Sequence, residues 1–230
     1  MRHTFLIVAL VVGAIFAGST PSTAQPALPD LKVDASRVGT SLYFQVKNFS
    51  RNDCAVQEGL LTGTGKRTLM RFDVSAANIG TADLFLGDPA ANPDLFAKSP
   101  CHGHYHFSGY ASYELMNASG EVLITGRKQA FCLEDFERYS PTAGSAKYTC
   151  QYQGISVGWA DTYGSYLDGQ WLDVTGIPPG NYQLRVTINP YNVYGKSVPG
   201  WTLAAATAMT ESSYGNNIAQ LPVTIPTRIK

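Results

Sequence analysis

Three histidines stand at alternate positions in the segment 101–106, whose sequence is CHGHYH. They are His102, His104 and His106, and the only other histidine of the sequence is His3. Neutral imidazole is a preferred ligand of zinc and copper, so this cluster indicates a metal site. Core histidines satisfied by hydrogen bonds, or solvated histidines without a role, are the simpler interpretations. The spacing favours three nitrogen ligands with open positions for water or substrate.

The same alternation predicts how the histidines sit in a strand. Within a predicted strand at 103–115, side chains alternate between two faces, so the histidines share a polar face opposite an apolar face that packs on the core. On a straight strand, the Cα atoms of His102 and His106 would be about 13 Å apart. Three imidazoles cannot easily converge across that distance, so we expect the strand to bend, with the help of Gly103.

A lysine in an apolar strand is the second residue with chemical potential. In the predicted strand at 121–133, Lys128 shares a face with small and apolar residues such as Ile124 and Ala130. A buried, unpaired ammonium usually loses its proton, and the neutral amine is a nucleophile. In the simpler interpretation Lys128 extends to the surface or pairs with Glu134 or Asp135.

The elements that must position these residues are predicted to be β-strands. Segments rich in β-branched and aromatic residues alternate with turn clusters such as PPGN at 178–181. The strands are predicted at 42–46, 69–74, 103–115, 121–133, 171–174, 182–188 and 218–225, and a helical period occurs only at 203–209. The pattern predicts an all-β fold with an antiparallel β-sandwich-like core, long functional loops and little helix.

Composition and charge exclude several classes of protein. The chain has 230 residues, 44% of them hydrophobic and 15% charged, which is typical of a globular protein. Lysine plus arginine and aspartate plus glutamate both number 17, so the net charge is zero. A neutral chain lacks the basic surface that nucleic-acid binding requires, so we expect no nucleic acid as partner.

The N-terminus is predicted to be a signal peptide. Arg2 and His3 precede an uncharged apolar run at 5–17, and the small residues of 22–24 predict cleavage after Ala24. The apolar run is shorter than the ~20 residues of a membrane-spanning helix. We therefore expect a signal peptide at 1–24 and one secreted, extracellular or periplasmic domain at 25–230, without membrane contact after cleavage. In an oxidising compartment the four cysteines predict two disulfides, with three pairings open.

These features resemble the catalytic domain of the lysyl oxidase family. The matching segments are CHGHYH (101–106), GRKQAFCLED (126–135), DTYG (161–164), QWLDVT (170–175), PGNYQLRV (179–186) and YGNN (214–217). They follow one another in family order through most of the chain. The sequence is thus identified as that of a minimal, bacterial-type member.

The resemblance implies a copper- and quinone-dependent amine oxidase. His102, His104 and His106 would bind one Cu²⁺, Tyr163 would be oxidised to a quinone, and Lys128 would add to it to form lysine tyrosylquinone (LTQ). The enzyme would deaminate primary amines, peptidyl lysine among them, to aldehydes with O₂, and would release H₂O₂ and ammonia.

The resemblance also implies a disulfide pairing, which is Cys101–Cys150 and Cys54–Cys132. It does not identify the general base. Asp161 and Asp168 flank Tyr163 and are candidates because of that proximity alone.

Two other functions use the same histidines. One is a metal-dependent hydrolase with zinc-bound water, in which Lys128 would be incidental. The other is a non-catalytic extracellular copper-binding module that keeps the ligands but never forms the quinone.

Overall fold

Short strands dominate the structure, a computed structural model that describes residues 26–127, 130–195 and 202–229. The helices in these ranges are α1 (Ala35–Ser41), α2 (Cys54–Gln57), α3 (Pro190–Tyr194) and α4 (Leu203–Ala208). The strands are β1 (Leu31–Val33), β2 (Tyr43–Phe49), β3 (Gly65–Arg71), β4 (Val74–Asn78), β5 (Leu84–Gly87), β6 (Phe96–Lys98), β7 (Tyr105–Ser108), β8 (Ala111–Met116), β9 (Val122–Thr125), β10 (Ala130–Phe131), β11 (Glu137–Arg138), β12 (Gln153–Ile155), β13 (Trp159–Tyr163), β14 (Trp171–Asp173), β15 (Gly180–Ile188) and β16 (Ile218–Ile225).

The strands of the described residues form five antiparallel sheets. The two largest have the strand orders β1-β4-β13-β11 and β16-β15-β8-β9, and the others are β14-β3-β2, β10-β7-β6 and β12-β5. The predicted all-β fold is therefore confirmed.

Alternating apolar residues explain how the sheet β16-β15-β8-β9 is buried. Leu184, Val186 and Ile188 of β15 are fully buried at every second position, as the period of a strand requires. On β8 the buried ring of Tyr113 meets Phe72 edge to face at 5.2 Å, which joins this sheet to the segment between β3 and β4. One core cluster thus contains residues of both large sheets.

Two long predicted strands are each divided in the structure. The predicted strand at 103–115 is interrupted between β7 and β8, where Gly109 adopts a φ of 82° that a regular strand does not allow. The predicted polar face is also wrong beyond this break, because Tyr110 is buried and packs against Phe131 at 5.6 Å. The predicted strand at 121–133 divides into β9 and β10.

The disulfide pairing implied by the resemblance is wrong. The structure forms Cys54–Cys101 and Cys132–Cys150, with Cα–Cα distances of 5.7 and 5.3 Å. The second pair forms because the chain after β10 runs beside the segment before β12, where the Asp135 N–H donates to the Tyr148 carbonyl at 3.2 Å. The first pair forms because α2 packs beside the turn that precedes β7.

For two predicted features, the structure gives no description. The predicted signal peptide at 1–24 and Lys128 lie outside the described residues. Among the helices that are described, none has both the length and the apolar character needed to cross a membrane.

A buried glutamate joins the N-terminal strand to the segment before β16. The carboxylate of Glu211 accepts hydrogen bonds from the Leu31 N–H, from Asn189 Nδ2 at 2.7 Å and from Asn217 Nδ2 at 2.8 Å. Burial raises the pKa of Glu211 to about 7, against which these hydrogen bonds act only in part. The fold therefore holds a carboxyl group that changes charge near neutral pH.

This raised pKa makes the stability of the fold depend on pH. Between the ordinary value of 4.5 and about 7, folded Glu211 binds a proton that the unfolded chain has lost. The contribution of protonated Glu211 to the free energy of unfolding is thus fully present below pH 4.5. It disappears as the pH rises through 7, a loss of up to about 3 kcal/mol. Urea unfolding at a series of pH values should show that the free energy of unfolding declines less with rising pH in Glu211→Gln than in the wild type. The exposed control Glu121→Gln should keep the wild-type decline, and equal declines in all three proteins would contradict the assignment.

Candidate active site

A cavity of about 260 Å³ brings together most of the residues that the sequence singled out. Its polar and aromatic lining consists of His102, His104, His106, Glu134, Phe136, Asp161, Thr162, Tyr163, Tyr166 and Asp168. A larger cavity of about 450 Å³ lies beside the 139–147 loop, but it contains none of the predicted site residues, and its Lys147 is paired with Asp83. The chemistry of the lining therefore selects the smaller cavity.

The three histidines come together because the chain turns before β7. Gly103 adopts a φ of 71°, so the predicted bend is present, and only His106 belongs to the strand. The Nε2 atoms of His104 and His106 are 2.9 Å apart. The His102 ring centroid lies 5.9 and 5.8 Å from the other two.

The ring nitrogens of His104 and His106 are spaced to share one small transition-metal ion. Two nitrogens that each lie about 2.0–2.1 Å from one ion, at an angle between 90° and 109°, are about 2.8–3.4 Å apart. The 2.9 Å between the two Nε2 atoms is within that range. His106 is buried, whereas His104 is exposed, so the pair lies at the cavity wall and is open on one side.

A second group of donor atoms near the cavity does not form a cation site. The sulfur atoms of Cys132 and Cys150 lie within 4.8 Å of a Glu134 oxygen. The two sulfurs are bonded to each other in a disulfide and offer no thiolate.

Strand β13 carries Tyr163 into the cavity. The strand pairs with β4, and its alternation places Asp161 and Tyr163 on one face while Thr162 donates to Ser75 Oγ at 2.8 Å on the other. The Tyr163 ring lies 4.3 Å from that of Phe131, and its hydroxyl donates to the Cys132 carbonyl. Burial, followed by the nearby Asp161 carboxylate, raises the pKa of Tyr163 well above its usual value, so the phenol keeps its proton.

The residues around the cavity match one family. The family model described as Lysyl oxidase matches residues 29–225 of the chain. The chain belongs to the lysyl oxidase family. It is 31% identical to lysyl oxidase homolog 4 of Homo sapiens over 204 residues, 84% of this chain and 24% of that protein. It is 32% identical to protein-lysine 6-oxidase of Homo sapiens over 210 residues, 86% of this chain and 46% of that protein. The chain thus spans less than half the length of these relatives.

Asp161 is the most deeply buried acid in the cavity of this lysyl oxidase family member. Its side chain, which β13 carries, is buried, and one carboxylate oxygen, Oδ2, has no hydrogen-bond partner among the described residues. Burial raises the pKa of Asp161 well above its usual value, and Glu134 adds to the effect. Asp168, the other candidate base, is half-buried, and one of its oxygens lies 3.7 Å from Lys47 Nζ.

Besides Thr162, three lining residues had no role at the cavity assigned from the sequence. Glu134 was considered only as a partner of Lys128, but it lies on the cavity, and burial raises its pKa. Phe136 and Tyr166 form an aromatic rim, 52% and 72% exposed. The alternation from Cys132 to Phe136 could have indicated a common face for this segment, whereas nothing in the sequence indicates that Tyr166 faces it.

Buried contacts fix the loop that carries Tyr166. The buried Arg71 donates from Nη1 to the carbonyls of Ser165 and Leu167, at 2.6 and 3.2 Å. A Cβ atom at Gly164 would overlap the ring of Tyr166, so a larger residue at position 164 would displace that ring. The loop is therefore held against the cavity by the core rather than by its own turn alone.

Proposed function

We propose that this protein is a secreted, copper-dependent amine oxidase of lysyl oxidase type. It would convert primary amines, including the side chain of protein lysine, to aldehydes with O₂, and would release H₂O₂ and ammonia. The observation that carries the proposal is one cavity lined by three histidines, a partly buried tyrosine and three carboxyl groups. The family, with relatives named protein-lysine 6-oxidase, supports the class of reaction. When bound, copper and LTQ would supply the electron sink and the reaction with O₂.

His102, His104 and His106 would hold the copper ion. The distance between His104 Nε2 and His106 Nε2, with the His102 ring beside them, supports this role, and imidazole suits copper(II) as well as zinc. The cavity leaves room on the open side of the cluster for water or O₂.

Lys128 and Tyr163 would form the LTQ crosslink. The segment that follows Lys128 supports this role, because Phe131 packs on the Tyr163 ring and the Cys132 carbonyl accepts from its hydroxyl. Phe131 stands only three positions beyond Lys128 in the sequence. The crosslink would also remove the ammonium charge that an apolar strand disfavours.

The remaining lining residues would bind the amine substrate and remove a proton from its α-carbon. Glu134 and Asp168 would attract the substrate ammonium, and the rim of Phe136 and Tyr166 would contact the alkyl chain. Asp161 would be the general base that takes the α-proton. Its raised pKa makes it a stronger base than an ordinary carboxylate, and its Oδ2, which has no partner among the described residues, can accept the proton.

Secretion is supported by the two disulfides. Such bonds persist in oxidising compartments and are rare in the cytosol, so the extracellular space or the periplasm suits the chain.

The metal role predicts that the metal-free protein binds one copper(II) ion per chain. Replacing one of three nitrogen ligands should cost more affinity than the about 10- to 100-fold lost with an outer partner. We expect this loss for His104→Ala and for His106→Ala in competition titrations with a chromophoric chelator. Tyr152→Phe, an exposed control outside the cavity, should bind as the wild type does. Unchanged affinity in a folded histidine variant would contradict the assignment.

The cofactor role predicts a modified mass. Copper-loaded protein in air should gain one oxygen and lose four hydrogens beyond those of its disulfides, and peptide mapping should join Lys128 to Tyr163. Lys128→Ala should abolish peroxide release from simple amines while copper stays bound, and the exposed control Lys66→Ala should stay active. An active Lys128→Ala enzyme would remove the lysine from the reaction. Copper without crosslink or turnover would favour the binding module, and colourless protein with stoichiometric zinc would favour the hydrolase.

The base role predicts a difference between two neighbouring acids. Asp161→Asn should lower kcat for a primary amine at least about 100-fold, the lower range for loss of a general base. The crosslink and the bound copper should remain. Asp168→Asn should mainly raise KM, because it removes only an attraction for the ammonium. Peroxide assays over a range of amine concentrations separate the two, and a larger kcat loss in Asp168→Asn would transfer the base role to that residue.

A further inference from the structure

A glutamate after α2 contacts the first histidine of the cluster. Glu58 follows α2 and is largely buried, with 11% of its side chain exposed. Its Oε2 lies 3.4 Å from Nδ1 of His102, and its Oε1 accepts a hydrogen bond from the hydroxyl of Ser99. The same hydroxyl oxygen accepts from the His102 N–H at 2.9 Å and lies 3.2 Å from Nδ1.

Counting hydrogens in this group determines which ring nitrogen of His102 is protonated. A carboxylate can only accept, so the single hydroxyl hydrogen of Ser99 is directed to Glu58. Towards His102 the hydroxyl oxygen can then offer only a lone pair. Both polar neighbours of Nδ1 are therefore acceptors, which requires a hydrogen on Nδ1 and, in the neutral ring, leaves the lone pair on Nε2.

Three further connections hold Glu58 and the histidine turn in place. The disulfide Cys54–Cys101 links the start of α2 to the residue before His102. The Glu58 N–H donates to the Cys54 carbonyl at 2.8 Å, so the cysteine and the glutamate lie one helical turn apart. The Ser99 N–H donates to the carbonyl of His104 at 2.9 Å and closes the turn from within.

We propose that Glu58, together with Ser99, is a positioning residue that holds His102 with Nδ1 protonated and Nε2 available to a metal ion. The inference rests on the proposed metal-binding function, which gives the free Nε2 its purpose. Histidine ligands commonly donate their second N–H to a carboxylate, which fixes the orientation of the ring and raises its basicity. Glu58 would act on the metal only through His102 and would not touch the ion or the substrate.

The tautomer is tested first, on metal-free wild-type protein. Long-range ¹H–¹⁵N NMR spectra of the imidazole rings should show Nδ1 of His102 protonated and Nε2 unprotonated. The opposite tautomer would overturn the inference. This measurement needs neither a variant nor bound metal, so it remains decisive even if the protein fails to bind copper and the proposed function is wrong.

The second measurement is the affinity for Zn²⁺, used as a redox-silent probe. Glu58→Ala should lower the affinity about 10- to 100-fold, the range for loss of an outer partner. Glu58→Gln keeps an oxygen acceptor and should recover most of that loss. Asp53→Asn, which removes a charge at the other end of α2, should stay within about twofold of the wild type.

Three results would contradict the role of Glu58. One is a wild-type affinity in a Glu58→Ala protein whose circular dichroism shows an intact fold. Another is a loss in Asp53→Asn as large as that in Glu58→Ala, because it would assign the effect to α2 as a whole. The third is a Glu58→Gln protein as weak as Glu58→Ala, because an acceptor alone would then not account for the effect.

Discussion

Three imidazoles spaced two residues apart can meet only where the backbone between them turns. A strand would direct all three to one face but spread them along it. Gly103 adopts a positive φ that residues with a side chain rarely adopt, and the strand begins only at Tyr105. His106 is thus held by the sheet, whereas His102 and His104 depend on the turn. A turn has few ladder hydrogen bonds of its own, so the disulfide to α2 and the contacts of Ser99 must stabilise it.

Burying a carboxylate costs free energy, and this cost has different consequences at two carboxyl groups of the protein. Burial raises the pKa of both Glu211 and Asp161. Three donors satisfy Glu211, which connects β1 to the segments around Asn189 and Asn217, so its role is structural. Asp161 keeps one oxygen without a partner among the described residues and faces a cavity. An unsatisfied buried oxygen is costly, and a substrate proton or cation is the partner that would offset that cost.

The sequence pattern predicted those elements whose structure is determined by their own residues. Strand β16 has the predicted bounds, and the bend at Gly103 follows from the spacing of the histidines. Strand β13 was not predicted, because its sequence WADTY mixes polar and apolar residues, and its burial depends on the pairing with β4. Glu58 is 44 positions away from His102 in sequence, so no local signal could bring the two together. The disulfide pairing likewise depends on which segments become neighbours, not on the spacing of the cysteines.

The observed pairing places one disulfide beside each of two walls of the cavity. A Cys101–Cys150 bond would have joined the histidine turn directly to the segment that borders the phenol. Instead, Cys54–Cys101 ties the histidine turn outward to α2, and Cys132–Cys150 braces the segment whose carbonyl accepts from Tyr163. The backbone pairing of β7 with β10 connects the two walls. Each disulfide therefore stabilises one wall, and no disulfide joins the histidine turn to the segment beside Tyr163.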